Sequence, residues 1–186
     1  MKTTEAVKSV AEITRVAELL EKHGNGSTIY RDIWTFGIQA ALRISDLLEV
    51  TMEQALSGVI TLQEGKTKKT RTITLNATAR AVVARRAAAH PSHVWLFQVE
   101  SNRASNKPIS RISVSRKFKE IGDIVGVRLN THSMRKTLGY AMHSQGAPIE
   151  RIAKVLNHSS PATTMHYIGL TEEDTQAAYS EFEIVI

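Results

Sequence analysis

Arg43, Lys66, His132, Arg135, His158 and Tyr167 occur in that order along the chain, and four of them fall within the stretch His132 to Tyr167. Cations, imidazoles and a phenol are the groups that chemistry on a phosphodiester calls for. A negatively charged transition state on phosphorus needs several fixed donors converging on one point, together with a nucleophile.

Each candidate depends on the element that presents it. Thr131 is a suitable N-cap, which would set His132 at the first helical position and Arg135 on the same face. There the helix dipole disfavours an imidazolium and leaves a neutral ring able to take a proton. The alternative is that His132 only helps the helix start and Arg135 is a solvated cation. Asn157 suits a left-handed helix end, which pushes His158 into a turn. Ser160 followed by Pro161 starts the next helix. Tyr167 then lies about 10 Å along that helix axis from its cap. A phenol of intrinsic pKa about 10 needs activation to attack. Neighbouring Arg and Lys charges would lower its pKa, and His132 could accept its proton.

Arg43 lies at a junction between two helices: Ser27 or Thr28 caps the one before it, and Ser45 with Asp46 starts the one after. The runs Gly58 to Gln63 and Thr70 to Leu75 are β-rich and flank Glu64 to Lys69, which predicts a hairpin with a basic tip. Lys66, Lys68, Lys69 and Arg71 there admit two readings. They could follow a DNA backbone as a solvated charge run, or one lysine could protonate a leaving oxygen. Spacing does not choose between them.

The remaining elements are mostly helical. Apolar periodicity predicts helices from Ala6 to Lys22, from Asn76 to before Pro91, and onward from Ser110. Further helices are expected at His132 to Ser144, Pro148 to Leu156, Pro161 to Tyr167 and Glu172 to Glu181. Glu100 to Ser110 reads as a polar loop. Trp34 and Trp95 sit in apolar runs that suit the core, and Asp46, Glu49 and Glu53 suit orienting or solvated roles. The expected fold class is mainly α with a small antiparallel β-sheet (α+β), in a single domain over residues 1–186.

The chain carries 24 Lys plus Arg against 18 Asp plus Glu, a formal net charge of +6, and no cysteine. Disulfides and thiolate chemistry are therefore excluded, and the basic balance favours a polyanionic partner. His143 and His166 complete no metal-ligand spacing, and neither a GxxxxGK[ST] nor a GxGxxG motif is present. No metal or cofactor is expected. No run of about eighteen apolar residues suggests a membrane span, so a cytoplasmic location is expected.

The order of residues resembles the tyrosine recombinases, or phage integrases. Ala-Leu-Arg43-Ile-Ser-Asp-Leu47 is similar to that family's first arginine box, and Lys66-Thr67 to its hairpin lysine. Thr-His132-Ser-Met-Arg135-Lys-Thr137 is similar to its HxxR box, and His158 and Tyr167 to its last histidine and nucleophile. Ala41, Ser133 and Asn157 depart from the glycine, aspartate and glycine common at those places. The resemblance implies a tyrosine-recombinase catalytic-domain fold and site-specific cleavage and rejoining of double-stranded DNA through a 3′-phosphotyrosyl intermediate. Tyr167 would be the nucleophile, Arg43, Arg135 and His158 would hold the non-bridging oxygens, Lys66 would be the acid and His132 the base. Lys68, Lys69 and Arg71 would bind DNA. The resemblance also implies self-association as a tetrameric synapse, a bacterial or phage-derived, nucleoid-associated protein, and a chain lacking the family's usual N-terminal core-binding domain. In the family the tail after Tyr167 often docks on a neighbouring subunit; here the apolar end Phe182 to Ile186 could equally cover its own core. A type IB topoisomerase or a non-catalytic DNA-binding accessory factor would share parts of this pattern.

Overall fold

The computed structural model describes residues 4–66, 68–101, 104–170 and 176. The expected last helix and the apolar C-terminal end lie, Gln176 aside, outside the described residues. The first helix, α1 (Val10–Lys22), starts later than its apolar spacing predicts, because the Ser9 hydroxyl accepts from the Glu12 N–H and caps it there. Val7 is buried all the same. It lies ahead of the helix, and its N–H donates to Thr137 Oγ1 at 2.9 Å.

Helix α2 (Ile29–Ala40) is the centre of the core. Ile33, Trp34 and Phe36 are fully buried, with Trp34 meeting Phe118 edge-on at 5.6 Å and Phe36 meeting Phe97 at the same separation. Gly37 lets α7 (Ser133–Ser144) approach: a Cβ there would lie 2.2 Å from Met134 Sδ. Ala41 ends α2 in the left-handed region at φ 47°, where an L-residue other than Gly or Asn is strained.

Two short helices follow, α3 (Ile44–Leu48) and α4 (Met52–Leu56), the second opened by a reciprocal Thr51–Gln54 cap. Strands β1 (Val59–Gln63) and β2 (Thr70–Thr74) form the expected antiparallel hairpin, paired from Val59 opposite Thr74 to Gln63 opposite Thr70. Asn76 caps α5 (Ala77–Ala89) through its side chain.

The stretch read as a polar loop contains a second hairpin instead. Strands β3 (Gln98–Ser101) and β4 (Ala104–Pro108) pair antiparallel, with a register shift between Val99 and Ser101. Trp95 is not a core residue: it is half-buried beside this hairpin, and its indole N–H donates to Asn106 O at 3.3 Å. The described residues thus hold two small antiparallel sheets in a mainly helical fold.

Helix α6 (Arg111–Val125), capped by Ser110, closes the main core through Val114, Phe118 and Ile121. Helices α8 (Ile149–Leu156) and α9 (Pro161–Ile168) build a second apolar cluster with Ile152, Leu156, Ile168 and Ala41. In α7, a Cβ on Gly139 would meet Ile168 Cγ2 at 2.7 Å, so its absence lets α9 lie close. No helix among the described residues is long and apolar enough to cross a membrane.

Candidate active site

The strained end of α2 and the end of α8 set the site. Arg135, on the first turn of α7, is 2% exposed and donates to Ala41 O and, at 2.5 Å, to Leu156 O. Both carbonyls belong to helix C-termini, where orphan acceptors and the dipole favour a cation. Arg135 is therefore fixed by the backbone of two other helices, and is no solvated surface charge.

Arg43 lies at the expected helix junction, but α3 starts before Ser45: Arg43 itself is the N-cap, in extended conformation and with no side-chain cap, and its guanidinium pairs with the buried Glu64 carboxylate. Asp46, also buried, accepts the Gly65 N–H at 3.1 Å and so anchors the hairpin next to Lys66. Asn157 takes the left-handed conformation at φ 51°, and His158 follows with its N–H on Ala153 O at 2.9 Å. His158 Nδ1 lies 3.1 Å from Thr164 Oγ1, so the hydroxyl of α9 orients the imidazole.

Tyr167 is half-buried on α9. Its ring meets that of His158 at 80° with centroids 4.7 Å apart, Lys136 Nζ stands 5.1 Å from its centroid, and its hydroxyl lies 3.5 Å from His132 O. His132 is itself the N-cap, one residue earlier than its expected helical position, and its N–H donates to Asn130 Oδ1 at 2.7 Å.

One cleft of about 370 Å³ is lined by Arg43, Lys66, Lys69, His132, Arg135, Asn157, His158, Ser159, Thr163 and Tyr167. Every residue singled out for phosphoryl chemistry thus faces one space. Two hairpin lysines, Lys66 and Lys69, reach it, whereas Lys68 is exposed outside that lining.

Arg71 corrects the sequence reading. Its guanidinium is turned inward, donating to Val155 O at 2.6 Å, Ala40 O at 3.2 Å, Ala41 O at 3.1 Å and Glu64 at 3.4 Å. These bonds tie β2 to the ends of α2 and α8 and do not suit a grip on DNA.

The cationic surroundings act on the titrating groups. Desolvation, then Arg135 and Arg43, holds the His158 pKa down at about 4, and the same causes, with Arg111 and Lys136, lower that of His132. Both rings are neutral at pH 7. Tyr167 departs from expectation: burial outweighs the opposing pull of Arg135 and Arg43 and raises its pKa. The phenol keeps its proton until a base and a substrate act on it.

Sequence reasoning missed Glu64 and Lys136 as members of this site. An acid inside the basic Glu64 to Lys69 run was a signal for the first. Lys136 could have been found from its place beside Arg135, on the α7 turn that faces α9. Among the described residues no group of three His, Cys, Asp or Glu side chains could hold a metal.

Comparison with known proteins places this fold and cleft in one family. Residues 9–174 match the phage integrase family, and the chain belongs to that family. It is 33% identical over 185 residues to the probable integrase/recombinase YoeC of Bacillus subtilis (strain 168), covering 98% of each chain. It is 31% identical over 143 residues to the tyrosine recombinase XerA of Pyrococcus furiosus, covering 74% of this chain but 49% of that one, about half its length. The fold matches the Tn1549 transposon integrase, solved in complex with circular intermediate DNA, with a TM-score of 0.73 at 16% identity, covering 97% of this chain and 68% of that one.

Proposed function

We propose that this chain is the catalytic domain of a site-specific tyrosine recombinase that breaks and rejoins double-stranded DNA by transesterification. The observation that carries the proposal is the convergence of Arg43, Lys66, His132, Arg135, His158 and Tyr167 on one cleft. The two apolar clusters share Leu138, which supports reading the chain as a single catalytic domain. Relatives named as recombinases favour this reading over a type IB topoisomerase or a non-cutting accessory factor.

In the proposed reaction the Tyr167 oxygen attacks the scissile phosphorus while its proton passes to neutral His132. The bond from phosphorus to the 5′-oxygen breaks, and Lys66 protonates that oxygen. Arg43, Arg135 and His158 hold the non-bridging oxygens, where fixed donors stabilise the developing charge. The Thr164 hydroxyl, which donates to Ser160 O at 3.3 Å, lies 3.1 Å from His158 Nδ1 and holds the ring in place beside Tyr167. The phosphotyrosyl link conserves a phosphoester, so a 5′-hydroxyl from another strand reverses the step without nucleotide hydrolysis. Lys68 and Lys69 follow the DNA backbone. The acting form is a self-associated synapse on DNA, tetrameric as in the family, and the cellular setting is the cytoplasm at the nucleoid.

The test is incubation with nicked duplexes carrying candidate sites, followed by a denaturing gel. A protein–DNA adduct that Tyr167→Phe abolishes supports the proposal. DNA relaxation with no recombinant product would favour the topoisomerase reading instead.

A further inference from the structure

Glu64 stands just beyond β1 with none of its surface exposed. Its carboxylate accepts from three elements: the Arg43 guanidinium at the α2–α3 junction, Asn157 Nδ2 at 2.5 Å at the end of α8, and Arg71 Nη1 at 3.4 Å on β2. Its own backbone is locked as well, with its N–H on Lys69 O at 3.0 Å and its carbonyl accepting the Lys68 N–H at 2.9 Å. Each partner adjoins a site residue. Arg43 is one, Asn157 precedes His158, and the Glu64–Lys69 closure roots the tip that carries Lys66.

A carboxylate at this place works against binding an anion. It neutralises part of the cationic cleft that a phosphate would enter and takes one edge of Arg43. A buried charge with three donors is nonetheless a rigid fixture, since removing it leaves guanidiniums without a counter-charge. Its benefit therefore lies in geometry.

We infer that Glu64 is a positioning residue for phosphoryl transfer: it fixes Arg43, the lysine hairpin and the Asn157–His158 turn relative to one another, at the expense of ground-state affinity for DNA. This rests on the function proposed above. Glu64→Gln keeps the shape and an acceptor for Arg43 while removing the charge, and Glu64→Ala removes both.

Binding and cleavage are measured separately on the same duplex, by a non-covalent affinity assay and by single-turnover adduct formation. Glu64→Gln is expected to bind at least as tightly as the unaltered protein and to form adduct about tenfold more slowly, and Glu64→Ala about a hundredfold more slowly, the scale of a small misplacement of reacting groups. On a duplex whose scissile phosphate has one non-bridging oxygen replaced by methyl, less cationic stabilisation is required, and the Glu64→Gln defect should shrink. Should the amide variant fail to fold, Glu64→Asp, which keeps the charge but withdraws it by one methylene, is held to the same split between affinity and rate. Unchanged adduct rates, or affinity and rate falling together in step with thermal stability, would overturn the inference. If the unaltered protein forms no adduct at all, the recombinase reading fails and this inference falls with it.

Discussion

The rings of Tyr167 and His158 stand at 80° to each other with centroids 4.7 Å apart, so the proposed nucleophile and the imidazole proposed to hold the phosphate support each other's orientation. Behind them Thr164, fully buried, holds His158 Nδ1 at 3.1 Å. Replacing Thr164 by Val keeps the volume and deletes this hydrogen bond. The variant is expected to lose about 1 kcal/mol of stability in urea titration and about tenfold in adduct formation, equivalent to about 1.4 kcal/mol in the barrier. A rate equal to that of the unaltered protein would show that the hydroxyl does not orient the imidazole.

Acid should unfold the DNA-free protein through its histidines. His158 is held down from 6.5 to about 4 and His132 is lowered, so between those values the unfolded chain binds protons that the folded one does not. The stability associated with these neutral rings is complete above pH 6.5 and is lost as pH falls toward about 4. Glu5, whose pKa is lowered from 4.5 by its hydrogen bond to Arg128, loses its contribution on the same acid side. Urea titrations at pH 7 and pH 5 check this: stability should be lower at pH 5, and His158→Asn should flatten the difference. Equal slopes for both proteins would contradict it.

Arg71 and Lys68 should separate in their response to salt. Lys68→Ala is expected to reduce the slope of log affinity against log salt by about 1, as loss of one phosphate contact does. Arg71→Ala should leave the slope alone but destabilise the fold by about 3 kcal/mol, because it leaves the Ala40, Ala41 and Val155 carbonyls short of a donor and Glu64 short of a partner. A reduced slope for Arg71→Ala in a fully folded variant would restore it to the DNA surface.

What was legible in the sequence was local. The Asn76, Ser110 and Ser160 caps, the left-handed Asn157 and the β1–β2 hairpin are each decided by a few adjacent residues, and each stands where it was expected. The β3–β4 hairpin was not legible, because Asn106 and its polar neighbours carry turn chemistry and no alternating apolar pattern. The Glu64 contact with Asn157 joins residues 93 apart, and no spacing rule reaches that far. Arg71 was misread for the same reason: one more cation in a basic run looks like its neighbours until its partners are known. The direction of the Tyr167 shift depends on how deeply α9 buries the phenol against α7, a tertiary quantity that charge counting leaves out.

The proposed reaction turns on a bond between the Tyr167 oxygen and a DNA phosphorus. Protease digestion of the adduct followed by mass spectrometry of the nucleotide-linked peptide tests it most directly. The expected result is a single modified peptide spanning Tyr167, joined to a 3′-phosphate, with the other cleaved end a free 5′-hydroxyl. Attachment at Tyr140 or Tyr30, linkage to a 5′-phosphate, or cleavage without any covalent peptide would contradict it.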